Sequence, residues 1–190
     1  DGEGVYLISS PDELMWFDRN AGLDSSAKLT ADIRINEDMS ASEDSLYVWS
    51  PVGVSSSKAY TGVFDGDGHT VSGLYISQSG GNAGVFGYVS GGSIRDLTVS
   101  DSLVSASGNY VGAIAGDLKG TVENCHVTDS VKVSGKGYVG GVVGELDRPC
   151  LLRKIGCPDG FLQQRKRRGF RLCGRCGRLG LFRRFCAECV

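Results

Sequence analysis

The apolar residues of this 190-residue chain come in short β-branched runs, and the runs recur at a fixed spacing. The segment "GGSIRDLTVSDS" (91–102) aligns with "KGTVENCHVTDS" (119–130) at an offset of 28 residues, which pairs Ile94 with Val122 and Leu97 with Cys125. Gly and Ser clusters bound each run, without the 3.6-residue period of an amphipathic helix. The pattern predicts short strands joined by tight turns.

Glycines keep the same 28-residue step, at Gly84 in "AGVFGYV", Gly112 in "YVGAIAGDL" and Gly140 in "YVGGVVGEL". One such unit buries too few aliphatic side chains to offset the conformational entropy lost when it is ordered. Stacked units share an apolar column and pair strand to strand. The sequence therefore predicts an all-β, parallel β-helix-like solenoid with repeats from about residue 82, whose glycines let adjacent coils approach closely.

The N-terminal segment departs from the repeat and predicts a cap over residues 1–26. In "SSPDELMWFDRN", Ser10 is a helix N-cap, Pro11 occupies the first helical position and Glu13 completes a capping box, which predicts a helix over about 11–20. Three apolar residues of this helix are expected to cover the open end of the solenoid: Leu14, Met15 and Phe17.

Between the cap and the repeats, three segments have strand-like patterns. "AKLTADIRI" (27–35) and "SLYVWSPVG" (45–53) each predict a strand, with a polar insertion between them. "YTGVFDGDGHTVSGLYI" (60–76) predicts a strand, a Gly-Asp turn and a second strand.

The order of these segments resembles the GLUG-repeat family of bacterial secreted and cell-surface proteins. The resemblance is carried by "YLISSPDEL", "KLTADIRI", "WSPVG", "YTGVFDGDGHTVSGLYI" and the "YVGGVVG" units, and covers nearly all of residues 1–147. It implies a right-handed β-helix-like module in a large extracellular or surface protein. Such modules sometimes accompany peptidases that cleave immunoglobulin A, but the His-Glu-x-x-His motif of those peptidases does not occur in this sequence.

Composition divides the chain near Asp147. Residues 1–147 contain 20 Asp and Glu against 8 Lys and Arg, whereas residues 148–190 contain 2 against 12 and hold six of the seven cysteines. An acidic body disfavours nucleic acid as a partner, and no apolar stretch approaches the roughly 20 residues of a membrane span. The chain begins without Met or a signal-peptide pattern, so we expect a mature region or a fragment of a larger protein.

Two Cys-x-x-Cys pairs in the tail raise the question of a metal. Cys173, Cys176, Cys186 and Cys189 have the spacing of a tetrahedral structural zinc site. A disulfide-linked or basic interaction tail is a further alternative.

The interpretation that we favour for residues 148–190 is a shifted reading frame. With permitted codons for "FLQQRKR" (161–167) and "RGFRLCGRCGRLG" (168–180), reading one base onward gives "SYNSENVGASGYVGGVAGL". This is another repeat, ending in the same glycine motif as "SGKGYVGGVVGEL". On this interpretation the tail has no evolved function of its own, binds no zinc and is poorly ordered.

Candidate chemistry in the body is sparse. "DGDGH" (65–69) alternates Asp65, Asp67 and His69 as a calcium loop does, but lacks the Glu expected at the last position, and a plain turn explains it better. His126 is expected to face solvent. Cys125, at the position of Leu97, is expected to be a buried apolar side chain.

Polysaccharide-cleaving β-helices place acidic residues beside Arg or Lys on one solvent-facing sheet. In the repeats of this chain basic partners are few, but four acidic residues are available: Asp96, Asp101, Glu123 and Asp129. Asp101 and Asp129 recur at the repeat step, which indicates turn chemistry. Trp16 and Trp49 fall in the cap and the first strands, where core packing explains them as well as a ligand does, and the sequence has no aromatic row that would define a sugar platform.

These observations predict a non-catalytic extracellular module that acts as a spacer, an adhesion surface or a binding surface, with host glycans or proteins as partners. No catalytic residue and no cofactor are predicted. The alternative is part of an enzyme, either a polysaccharide-cleaving β-helix or the accessory region of an immunoglobulin A peptidase-like protein. Converging carboxylates beside a basic residue on one face would favour the enzyme.

Overall fold

The computed structural model describes residues 4–146 and 152–153, and it confirms the predicted parallel β-solenoid with a short N-terminal helix, over about three turns. The elements, in chain order, are β1 Val5–Ile8, α1 Pro11–Asn20, β2 Ser26–Leu29, β3 Ile33–Arg34, a 3-10 turn Glu43–Ser45, β4 Val63–Asp65, β5 Thr70–Ser72, β6 Tyr75–Gln78, β7 Phe86–Arg95, β8 Thr98–Ser100, β9 Leu103–Ala106, β10 Ala115–Glu123, β11 His126–Val127, β12 Lys132–Ser134, β13 Val143–Leu146 and β14 Leu152–Arg153.

The strands form three parallel sheets, one on each side of the coil. Sheet A has the order β1-β2-β4-β7-β10-β13, with β14 also paired to β10; sheet B has the order β11-β8-β5-β3, and sheet C the order β12-β9-β6. Each full coil contributes one strand to every sheet, as in β7-β8-β9. Because all strand pairs of these sheets are parallel and join successive coils, the coils lie directly on one another.

The 28-residue register predicted from the sequence is confirmed at its centre. Val122 pairs with Ile94, and Val127 with Val99. Leu97 and Cys125 are both fully buried in the interior column. Phe64 of the preceding coil also pairs with Ile94, so three coils supply one continuous apolar stack.

The register slips by one residue after β11, which corrects the predicted superposition of the two Asp-Ser pairs. Lys132 pairs with Leu103, an offset of 29 residues. Accordingly the Asp101 N–H donates to Ser130 Oγ at 2.8 Å. The extra residue is accommodated in the exposed turn before β12, where no core position fixes the spacing.

Helix α1 begins as predicted. The Glu13 N–H donates to Ser10 Oγ at 3.3 Å, and Pro11 is in the first turn. The Glu13 carboxylate reaches back to the Ser9 N–H at 2.7 Å, one residue before the position a standard capping box uses. Leu14 and Phe17 are buried against the solenoid, and Met15 packs there in part, as expected of a cap.

The strand predicted over residues 45–53 is wrong. The segment makes only single bridges, Val48 to Tyr75 and Val52 to Phe86, after the 3-10 turn. Pro51 lacks the N–H that a ladder needs. The segment is nevertheless anchored, because Trp49 is 1% exposed and its Nε1–H donates to the Val85 carbonyl at 3.2 Å. The strand predicted over 27–35 is divided into β2 and β3, and the second strand predicted within 60–76 into β5 and β6, and the two members of each pair lie in different sheets.

Close packing of coils depends on particular glycines, as predicted. A Cβ at Gly116 would lie 2.6 Å from Asn82 Cα of the preceding coil, and one at Gly144 would lie 2.4 Å from Val111 N. A side chain at either position would force neighbouring backbones apart. The solenoid therefore depends on these glycines for its coil spacing.

Candidate functional site

The corner between sheets A and B is built from residues in the left-handed conformation. Asp96 has φ 52° and Asn124 has φ 49°, one repeat apart, and Asn124 Nδ2 donates to Asp96 Oδ1. Asp and Asn tolerate this backbone because their short polar side chains bond locally. Asp96, one of the four candidate carboxylates, therefore ties two coils together.

Asp101 is also engaged between coils. Its φ is 46°, and its carboxylate accepts a hydrogen bond of 2.7 Å from Arg34 Nη2. Arg34 and Asp101 are 67 residues apart in sequence. Of the other two candidates, Glu123 ends β10 and Asp129 lies exposed in the turn before β12. Glu123 pairs in register with Arg95, next to Asp96, whereas Asp101 and Asp129 lie in the turns before β9 and β12, so the four acids do not converge on one point.

The "DGDGH" segment forms the predicted turn. The Asp67 N–H donates to Asp65 Oδ1 at 2.9 Å, and Asp67 has φ 50°. Arg95 Nη2 lies 2.7 Å from Asp65 Oδ2, and Lys28 Nζ lies 3.1 Å from Asp67 Oδ2. Both carboxylates of the turn are thus paired with cations of neighbouring strands.

Asp65 remains ionised although its carboxylate is partly buried. Burial alone would raise its pKa, but the hydrogen bonds from Arg95 and from the Asp67 N–H, together with the charge of Arg95, leave the pKa below its usual value. His69 Nδ1 lies 3.3 Å from Asp32 Oδ1 across the coil boundary. Within residues 4–146 and 152–153, no group of three His, Cys, Asp or Glu side chains is placed to hold a metal.

Cys125 is the buried thiol that the repeat predicts. It is fully buried, and its Sγ donates to the Glu123 carbonyl at 3.3 Å. Burial raises the pKa of this thiol to about 11, so it is a packing residue and a poor nucleophile. His126, on β11, is half-buried. The zinc candidates Cys173, Cys176, Cys186 and Cys189 lie outside the described residues, as does nearly all of the predicted 148–190 tail.

Sequence reasoning missed an aromatic and acidic cluster on the outer side of sheet A. Tyr110 and Tyr138 stack with ring centroids 5.1 Å apart and an interplanar angle of 16°. The Glu145 carboxylate lies close enough to the Tyr110 hydroxyl to interact with it electrostatically. Glu145 pairs in register with Asp117, and Asp117 with Tyr88. We name these five residues the tyrosine-carboxylate cluster.

The alternation of side chains along β10 places the cluster on the outer face of sheet A. Leu118 is fully buried in the core, so the adjacent Asp117 lies on the opposite face of β10. Asp117 is still only 7% exposed, and Lys119 Nζ lies 5.6 Å from the Tyr88 ring centroid. Burial, and next the charge of Glu145, raise the pKa of Tyr110. The cluster combines carboxylate acceptors, phenol groups and aromatic ring surface along the solenoid axis.

One signal for this cluster was present in the sequence. The motifs "NYVGAIAG" and "GYVGGVVG" place tyrosines at 110 and 138, one repeat apart. The sequence showed no aromatic row that would define a sugar platform, and the structure stacks these two rings on one another. Asn82 occupies the corresponding position in the preceding coil and also has a positive φ, 57°.

A second aromatic surface lies at the N-terminal end. Trp16 is 50% exposed, so core packing does not account for it, and its ring centroid lies 5.7 Å from that of Tyr6. With Leu7 and Phe17 these residues line an apolar cavity of about 170 Å³. Trp49, in contrast, is buried in the core.

Comparison with known proteins gives a fold relationship. No family model and no curated protein matches the sequence. A solved structure, described as a candidate immunoglobulin A1 protease from Bacteroides ovatus, matches with a TM-score of 0.53 and 22% identity. The match covers 66% of this chain and 38% of that protein, so this chain spans well under half of its length.

The likeness at this level of identity shows a shared fold. Within the part of the chain that the structure describes, no helix is long and apolar enough to span a membrane.

Proposed function

We propose that this chain is a non-catalytic β-solenoid module of the GLUG-repeat type, within a bacterial secreted or cell-surface protein, and that it presents a binding surface for host glycans or proteins. The observation that carries the proposal is that charged side chains pair with one another between coils. Arg34 with Asp101, and Arg95 with Asp65, each join different coils at 2.7 Å. Such pairs hold the rod together and leave these carboxylates unsuited to acid and base catalysis, which requires access to a substrate.

The tyrosine-carboxylate cluster is the surface that we assign to binding. Aromatic rings contribute apolar contact area at low entropic cost, and their hydroxyls form hydrogen bonds. Glu145 adds a partly exposed carboxylate acceptor beside the rings, and the buried Asp117 lies one strand behind it. A ligand with a hydroxyl or amine donor beside an apolar face would match this surface.

The experiment measures binding of the whole chain to immobilised mucin glycoprotein and to immobilised immunoglobulin A1. We expect the double variant Tyr138→Ala and Glu145→Gln to weaken binding about tenfold or more. Asp129→Asn, which removes an exposed carboxylate away from the cluster, is the matched control and should bind like the parent chain. Equal binding by all three proteins would refute the assignment of this surface.

The second candidate is the accessory region of an immunoglobulin A peptidase-like protein, and the fold likeness to the Bacteroides ovatus structure favours it. Its test is incubation of the chain with immunoglobulin A1, followed by electrophoresis. Selective binding of immunoglobulin A1 without cleavage supports an accessory role.

A polysaccharide-cleaving enzyme is tested by release of reducing ends from an acidic polysaccharide. Either this release or cleavage of immunoglobulin A1 by the purified chain would overturn the non-catalytic proposal.

A further inference from the structure

The two exposed rings at the N-terminal end belong to a series of aromatic contacts that begins in the core. The ring centroids of Phe86 and Phe64 lie 5.2 Å apart, and that of Phe17 lies 6.3 Å from Phe64. The Tyr6 ring lies 5.7 Å from Phe17 and 5.7 Å from Trp16. Because the inner three rings are buried, Tyr6 and Trp16 are held in place before any ligand binds, which lowers the cost of binding.

The cavity beside these rings is lined mainly by apolar side chains. It has a volume of about 170 Å³, and its lining residues are Tyr6, Leu7, Ile8, Glu13, Trp16 and Phe17. A cavity of about 150 Å³ holds a benzene molecule, so this one admits a compact group of similar size. Tyr6, Leu7 and Trp16 are each more than a third exposed, so a ligand reaches the cavity from solvent.

Glu13 gives the lining a negative charge. Its carboxylate accepts hydrogen bonds from the Ser9 N–H at 2.7 Å and from Ser9 Oγ at 2.9 Å. These bonds hold the pKa of Glu13 below its usual value, so the carboxylate is ionised at neutral pH. The six lining residues, all within the described part of the chain, include no Lys, Arg or His.

This lining favours a cation that needs no hydrogen bonds. A sugar requires several hydrogen-bond partners, and a calcium or magnesium ion requires several oxygen ligands, whereas five of the six lining side chains are aromatic or aliphatic. A primary ammonium has three N–H donors that need acceptors when they leave water. A quaternary ammonium group has no such donors, and the negative faces of aromatic rings attract it.

We propose that this cavity binds a quaternary ammonium group, such as that of choline. The group lies against the rings of Tyr6 and Trp16, whose planes are inclined at 46° to each other, and the Glu13 carboxylate supplies the opposite charge. The site shares no residue with the tyrosine-carboxylate cluster, so it goes beyond the binding role proposed for that cluster.

The experiment measures binding of choline chloride to the whole chain by isothermal titration calorimetry at constant ionic strength. The ligand control is dimethylbutanol, the neutral isostere in which carbon replaces the ammonium nitrogen. We expect choline to bind about tenfold more tightly than the isostere, because only choline carries the charge that the rings attract. Equal affinities would overturn the proposal, since burial of apolar surface alone would then account for binding.

Variants of the lining locate the site. Trp16→Leu should weaken choline binding about tenfold or more, whereas Trp16→Phe, which keeps an aromatic ring, should retain part of the affinity. Glu13→Gln, whose amide oxygen can still accept the Ser9 hydrogen bonds, should weaken choline binding about threefold and leave binding of the isostere unchanged. Asp12→Asn is the matched control, because it removes a carboxylate of the same helical turn that does not line the cavity.

Thermal melts show which variants are folded. Choline binding that is unchanged in folded Trp16→Leu or Trp16→Phe and in Glu13→Gln would refute the site. Binding of methyl galactoside that depends on Trp16, without binding of choline, would overturn the proposal by assigning the rings to a sugar. Sedimentation with phosphatidylcholine vesicles that depends on Trp16 would support the site with a lipid headgroup as its ligand, and binding of free choline alone would support it with a soluble one.

Discussion

Asp18 is a residue of α1 whose carboxylate is half-buried. Burial raises its pKa from 3.8 to about 6, and the adjacent charge of Arg19 offsets this only in part. Between about pH 4 and pH 6 the folded state therefore binds a proton that the unfolded state has released. Stability contributed by protonated Asp18 is present at low pH and is lost as the pH rises through 6.

The substitution Asp18→Asn tests this. We expect it to raise the thermal midpoint by roughly 2–4 °C at pH 7.5 and to have little effect at pH 4, because Asn resembles the protonated acid. Thermal melts followed by circular dichroism at both pH values measure the difference. Asp12→Asn on the first turn, where a carboxylate favours the helix dipole, should not stabilise the protein at pH 7.5.

Cys125 gives a second prediction at the scale of one residue. With its pKa raised to about 11 by burial, its thiolate fraction at pH 8 falls to about one in a thousand. Alkylation by iodoacetamide in the native state should therefore be at least about 100-fold slower than in denaturant. Peptide-resolved mass spectrometry isolates this thiol from the tail cysteines, and equal labelling in both states would contradict its burial.

At the scale of elements, sheet A depends on the stack through Ile94. Ile94 pairs with Phe64 on one side and Val122 on the other and is fully buried. Ile94→Ala should reduce the free energy of unfolding by about 2–5 kcal/mol, since adjacent coils cannot collapse into the cavity. Val63→Ala on β4, 38% exposed, is the control and should cost much less. Chemical denaturation of both variants decides whether the column carries the stability.

Glycine contacts between coils give a separate prediction. Gly116→Ala places a Cβ 2.5 Å from the Tyr110 carbonyl and 2.6 Å from Asn82 Cα, both backbone atoms. We expect a loss of about 1–3 kcal/mol, comparable to overpacking a core. A Cβ at Gly80 meets nothing within 4 Å, so Gly80→Ala should be neutral or slightly stabilising. Similar denaturation curves for the two variants would show that coil spacing is not limited by Gly116.

The elements that the sequence predicts are those set by a strict spacing. The pairing of Ile94 with Val122 and the cap at Ser10 follow from repeat alignment and from local capping chemistry. Residues 45–53 have an apolar pattern that also suits an extended segment anchored by one buried tryptophan, and periodicity does not distinguish the two. Trp16 is exposed because α1 buries Leu14 and Phe17 on another side of the helix.

The tyrosine-carboxylate cluster shows a different limit of sequence reasoning. Tyr110 and Tyr138 are one repeat apart and could be aligned directly. Glu145 joins them from the following strand, through a corner whose geometry depends on the positive φ of Tyr110, 63°. A tyrosine in this conformation is not expected from its residue type. The site therefore requires the fold as well as the repeat.

At the scale of the whole molecule, stability is expected to be distributed along the solenoid axis. In a stacked repeat each coil contacts only its neighbours, so opening begins where a neighbour is missing. Among the strands that the structure describes, β7 is paired on both sides, with β4 and β10, whereas β1 pairs only with β2 and β12 only with β9. Coils of equal intrinsic stability are therefore expected to protect their amides from hydrogen exchange more strongly at the centre of the solenoid than at its ends.

The rates of amide hydrogen exchange should be lowest in the central coils and highest at the ends of the solenoid. Amides of β7 and of the paired segment of β10 are expected to exchange about 100-fold or more slowly than those of β12, because exposing them requires the loss of two coil interfaces. Ile94→Ala should reduce the protection of β7 and β10 without changing that of β12, which has already opened independently. Uniform protection from β1 to β12 would instead mean that the solenoid unfolds as one cooperative unit, and the nearest-neighbour description would fail.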